Sequence, residues 1–239
     1  MHARYLIASL WILVSTVGTA TAFAAQEFTF DNMMLYTLSQ QSSFDYSKHW
    51  KPLVCTFDPE FWDQNHANEF KVHGRAEKVI SQIKSQLAEA PPDGTFTTEE
   101  FLKLGEYDFS KNEFAFKPFG TYHKSGMNWV ALNVDAEYSS DITAEDYLDL
   151  KKEYRILFNN TNTLVTTGVP FDPEAAEKFV NEKEKNKQDK AVYCKVTFHI
   201  VNTLEDDVKY KVITFLAEID SIEVYLDKEK TTLLTTYGK

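Results

Sequence analysis

The chain has 239 residues, with 36 acidic side chains against 25 lysines and arginines and a formal net charge of −11. That balance argues against a nucleic-acid partner, because phosphate recognition needs a basic stripe. Two cysteines exclude a disulfide-dense scaffold, and a chain of this length buries roughly 70% of its unfolded surface without such staples.

The chain opens as an export signal would. Arg4 supplies a basic start, Leu6 to Val17 form an uncharged apolar run, and small residues lead to Ala22-Phe23-Ala24, the A-x-A pattern of a cleavage site. The run is shorter than the about 20 residues that a bilayer crossing takes. Residues 1–24 are therefore expected to be a signal peptide cleaved after Ala24, and residues 25–239 one α+β domain, exported to the periplasm or the medium with no stable membrane anchor. Losing Arg4 and no acid leaves the remainder one charge more negative.

Residues 25–92 read as helical. Asp31 is placed to cap a helix through "NMMLYTLSQ", and Asp45 another near "YSKHWKPL". In "FDPEFW", Asp58 has the chemistry of an N-cap and Pro59 fits the first helical position. Val72, Ala76, Val79, Ile80, Ile83 and Leu87 recur at helical spacing and carry that helix to about Ala90, where "PPDG" ends it.

From residue 93 the period falls to two. Tyr107 and Phe109, then Phe114 and Phe116, alternate with polar residues on either side of "SKN". This predicts two half-buried strands joined by a turn, with the four rings forming one wall of a core. "NWVALNV" (128–134) and "EYRILFN" (153–159) are further strands. A second "FDPE" (171–174) opens a helix through "AAEKFVNEKEKNK". The stretch "AVYCKVTFHIVN" then sets Val192, Cys194, Val196, Phe198 and Ile200 on one face. The C-terminal stretch "YKVITFLAEIDSIEVYLDKEKTTLLTTY" adds two or three strands. Helices first and strands later, with one inserted helix, predict an α+β fold: N-terminal helices packed on a mainly antiparallel sheet.

The succession "FLKLGEYDFSKNEFAF", "VPFDPEAAEKFVNEKEK" and "VYCKVTFHIV" resembles a family of uncharacterised bacterial exported proteins, a domain of unknown function, over residues 101–201. The resemblance implies a bacterial exported protein. It brings no activity and no catalytic residues.

One cluster could ligate a metal. His66, Glu69 and His73 fall at i, i+3 and i+7 of the expected long helix, on a single face, and imidazole and carboxylate suit zinc. The spacing is not H-E-x-x-H and no second cluster points at it, so a polar helix face with two surface histidines is the favoured explanation. There is no G-x-S-x-G elbow and no G-x-G phosphate loop, so no cofactor is implied. Cys194 and His199 differ by five and would face opposite sides of one strand. With 36 acids some carboxylate pair always arises, which empties that signal. Trp50, Trp62 and Trp129 could stack on a sugar, although large rings more often lie partly in a core. Cys55 and Cys194 either bridge each other within one chain or remain buried thiols. Two functions follow from different classes. The first is a non-enzymatic exported interaction module for a protein or small-molecule ligand, and the alternative is a metal-dependent hydrolase using His66, Glu69 and His73.

Overall fold

The computed structural model describes residues 25–119, 130–136, 142 and 150–238; the expected signal segment and Trp129 lie outside the described residues. Strand β1 (Gln26–Glu27) leads into helix α1 (Phe30–Ser39), which buries Met33, Met34, Leu35 and Leu38. The cap of α1 is Thr29, whose Oγ1 accepts from the Asn32 amide at 3.4 Å, so Asp31 lies in the first turn and not at the cap. Asp45 does cap, accepting from the Ser47 amide at 3.2 Å, and starts a 3-10 turn that continues into α2 (Trp50–Phe57).

The expected single helix from Asp58 to Ala90 is two, α3 (Pro59–Asn65) and α4 (Glu69–Glu89). The break has a local cause. Asn68 is non-helical (φ −114°, ψ 88°), and its side chain accepts from the Lys71 amide at 3.2 Å, so it starts a new helix where periodicity alone continues the old one. Asp58 makes no capping bond, because Arg75 donates to its carboxylate at 2.5 Å. A charged donor competes better for an aspartate than a backbone amide does. Among the described residues no helix is long and apolar enough to cross a membrane.

The remaining elements are β2 (Thr95–Asp108), β3 (Glu113–Phe116), β4 (Leu132–Asp135), β5 (Glu153–Phe158), α5 (Thr161–Leu164), β6 (Val169–Pro170), α6 (Pro173–Lys185), β7 (Ala191–Asp207), β8 (Val212–Tyr225) and β9 (Leu233–Gly238). Among the described residues nine strands form one sheet in the order β4-β5-β8-β7-β2-β3-β6, with β1 beside β2 and β9 beside β8. Only β1/β2 and β5/β8 pair in parallel. The fold is α+β, with its helices mainly N-terminal, as the sequence predicts.

Alternation decides which face is core. Val192, Cys194, Val196 and Phe198 of β7 are buried on one side, opposite Leu102, Glu100, Thr98 and Phe96 of β2. Phe28, Phe96, Phe158 and Phe198 meet edge-on or tilted at 5.3–6.3 Å, and Tyr36 joins the helices to them through Phe96 and Phe215. Such pairs add to the hydrophobic gain of burying the rings.

The other end of the sheet curls. Register shifts between Leu104 and Tyr107 in β2, and at three places along β7 and β8, bend the strands. The β3–β6 edge thereby returns to β9, where the Tyr237 hydroxyl donates to the Gly168 carbonyl at 2.9 Å and its ring stacks on Phe116. Burial, then the Glu113 carboxylate, push the Tyr237 hydroxyl up to about 12. Gly168 is required by close approach, since a Cβ there would lie 2.2 Å from the Phe114 carbonyl oxygen. Gly168→Ala is expected to force β6 away from β3 and to cost about 1–3 kcal/mol, measured as a lowered denaturation midpoint. An unchanged midpoint would mean that β6 does not pack as described.

Candidate functional site

The three residues expected to share a helix face do not share a helix. His66 is the C-cap of α3, with Nδ1 3.2 Å from the Trp62 carbonyl oxygen, whereas Glu69 begins α4 and His73 lies one turn further on. His66 and Glu69 line a cleft with Trp50, Lys51 and Trp62; His73 is not among its lining residues and packs edge-on against Trp50 at 5.3 Å. Among the described residues, no group of three or more His, Cys, Asp or Glu side chains is placed to hold a metal ion. Of the tryptophans, Trp50 is half-buried beside that cleft, and Trp62 is 3% exposed and belongs to the core.

The cysteines are not bridged. Cys55 is half-buried on α2, in a cleft lined also by Val134 and Asp135 of β4, while Cys194 is buried on β7. Strands β5 and β8 separate β4 from β7 in the sheet, which amounts to about 14 Å at ordinary strand spacing, beyond the reach of a disulfide. Burial, and secondarily Glu100 across the strand pair, push the Cys194 thiol up to about 12. Native alkylation at pH 8 is expected to spare Cys194 and to reach it only in denaturant. Rapid native labelling of Cys194 would show that its segment opens.

The hairpin between β2 and β3 is where aromatic side chains and solvent meet. Phe114 and Phe116 are buried, at 0% and 6% exposure, but Phe109 is 80% exposed. The expectation that all the rings of this stretch are core is corrected at Phe109. The strand ends at Asp108, which folds the chain locally: its carboxylate accepts from the Ser110 amide at 2.9 Å and from the Ser110 hydroxyl at 2.6 Å. Those bonds hold the Asp108 carboxyl below its usual range. With Asn112 in the left-handed region (φ 55°), the chain turns and Phe109 leaves the alternating pattern.

Phe109 is the outer end of a continuous aromatic series. It meets Tyr107 edge-on at 4.9 Å, Tyr107 meets Phe114 at 5.0 Å, and Phe114 meets Phe171 and Phe179 at 5.2 and 5.8 Å. Tyr107 is fixed by its hydroxyl, which donates to the Phe171 carbonyl at 2.9 Å. Desolvation, then the nearby Asp172 carboxylate, raise the Tyr107 pKa. The opposite wall is α6. Asp172 caps it by accepting from the Ala175 amide at 2.9 Å, and Pro173 starts it. Here the "FDPE" letters do cap a helix, unlike at Asp58.

Between these walls runs a groove of about 490 Å³, with Tyr107, Phe109 and Phe114 on one side and Pro173, Ala176, Glu177, Val180 and Asn181 on the other. The α6 residues fall at i, i+3, i+4, i+7 and i+8, one helix face. The sequence does not mark this wall as a site. Its signal, an apolar stripe of a capped helix following the hairpin in sequence, is the same as that of ordinary core packing. Other apolar side chains are exposed, among them Phe70 and Phe101. Phe101 has Lys183 over its ring at 5.6 Å, and Phe70 lines none of the clefts described, whereas Phe109 adjoins a groove.

No curated protein matches the chain, and no solved structure does. The domain of unknown function DUF4852 matches residues 45–182, a span that holds every residue lining the groove and leaves out β1, α1, β7, β8 and β9. With more than half of its length matched, the chain belongs to the DUF4852 family.

Proposed function

We propose that the protein is exported and acts as a non-enzymatic interaction module, receiving a partner in the groove between the β2–β3 turn and α6. The observation that carries this reading is Phe109. It is a large ring left 80% exposed at the rim of an apolar groove and joined edge-on to the half-buried Tyr107, behind which lies the buried Phe114. A ring anchored in that way offers contact area with little conformational freedom left to lose on binding. Export rests on the N-terminal run and the Ala22-Phe23-Ala24 pattern. N-terminal sequencing of the exported protein should begin at Ala25, and a soluble chain retaining Met1 would contradict export.

Selection of displayed peptides against the wild-type chain, with counter-selection against Phe109→Ala, tests the groove. Clones that bind the first and not the second are expected. Selection that enriches nothing, or only clones indifferent to Phe109, would contradict the reading. Metal analysis of protein purified without chelators separates it from hydrolysis through His66, Glu69 and His73. Stoichiometric zinc lost on replacing those residues would favour the hydrolase.

A further inference from the structure

We infer that the occupant of this groove is a polypeptide segment carrying an apolar anchor side chain flanked by lysine or arginine. The inference rests on the groove being the interaction site and adds the chemistry of the partner. The groove follows α6 from Pro173 to Asn181, which is two turns or about 12 Å. An extended segment of about four residues has that length.

The floor is apolar and the open side is acidic. Glu174 and Glu177 both line the groove and are exposed. Glu174 lies in the first turn of α6, where an acid also complements the helix dipole. Glu177 lies one turn further in, where that effect has fallen away, so the dipole does not account for its charge. Neither carboxylate is in an ion pair among the described residues. Two of the neighbouring cations are engaged elsewhere. Lys111 stands 3.8 Å from both Asp108 and Glu113, and Lys183 lies over the Phe179 and Phe101 rings. Lys178 and Lys185 share an adjoining patch of α6 with Glu174, Glu177 and Glu182, but neither lysine forms an ion pair with Glu174 or Glu177 and neither lines the groove.

An apolar floor beneath two carboxylates that form no ion pair fits a cationic amphipathic segment and disfavours an acidic one. It also disfavours a second copy of this chain. Symmetric groove-to-groove pairing would set Glu174 and Glu177 against their own equivalents, on a chain already at −11.

Fluorescence titration of the full chain with three labelled peptides tests this. Each carries the same central Leu-Phe anchor, flanked by Lys/Arg, by Gln or by Glu, and each is titrated against wild type, Phe109→Ala and the double variant Glu174→Gln/Glu177→Gln. The Lys/Arg peptide is expected to bind wild type about tenfold more tightly than the Gln peptide, from two exposed charge pairs. That advantage should vanish in the double variant and shrink as salt is raised, while Phe109→Ala weakens all three. Equal, Phe109-dependent binding of the three peptides would overturn the cationic preference and leave the groove as the interaction site. Binding by none of them, or binding that Phe109→Ala does not change, would overturn both. Circular dichroism of each variant confirms that a loss is not a loss of fold.

Discussion

Phe114→Ala is expected to lower the unfolding free energy by about 3–5 kcal/mol, because a fully buried ring leaves both lost transfer energy and a cavity. Phe114 has 0% exposure and touches Tyr107, Phe171 and Phe179, so three elements lose their common contact when it is truncated. Phe109→Ala, five residues away on the same hairpin, is expected to change stability by no more than about 0.5 kcal/mol, as for surface positions in general. Its ring contacts Tyr107 alone among the aromatic side chains described. Chemical denaturation of the two variants beside wild type reads the contrast. Similar losses would mean that Phe109 is packed and unavailable to a partner. No loss for Phe114→Ala would mean that the hairpin is not part of the core.

A fragment of residues 45–182 is expected not to fold. The family match ends there, within α6, but the sheet does not. Strand β2 pairs along most of its length with β7, and β5 pairs with β8, so the fragment would lose the two central strands and leave both β2 and β5 with open edges. It would also lose Phe198, Phe215, Ile219 and Ile222 from the core. The fragment should give no cooperative unfolding transition and no native aromatic circular dichroism. A cooperative transition from it would show that residues 45–182 hold an independent core.

Much of the fold is legible in the sequence because it is set by local chemistry. Asp172 with Pro173, the alternation of Val192 to Phe198 and the helical spacing of Val72 to Ile83 each need only neighbours to act. The departures arise where two local preferences compete or where a distant group intervenes. Periodicity carries a helix through His66–Asn68, but Asn68 caps and restarts it. Asp58 has capping chemistry, but Arg75, 17 residues away in sequence, takes its carboxylate. Phe109 continues the alternation of β2 on paper, yet the Asp108 turn ends the strand one residue earlier. The candidate site was the least legible feature. Its two walls are a hairpin end and a helix face about 60 residues apart, and the pairing of β3 with β6 brings Phe171 to Tyr107. The sequence cluster with the clearest chemistry, His66, Glu69 and His73, is divided by that same break at Asn68.

Amide chemical-shift mapping of the full chain, titrated with the Lys/Arg-flanked peptide, tests most directly where this protein engages a partner. The predicted result is a single cluster of shifts on Tyr107 to Phe114 and on Glu174 to Asn181, saturating with the peptide and absent in Phe109→Ala. Shifts centred instead on Trp50, Trp62, His66 and Glu69, or no saturable shifts at either site, would contradict the account.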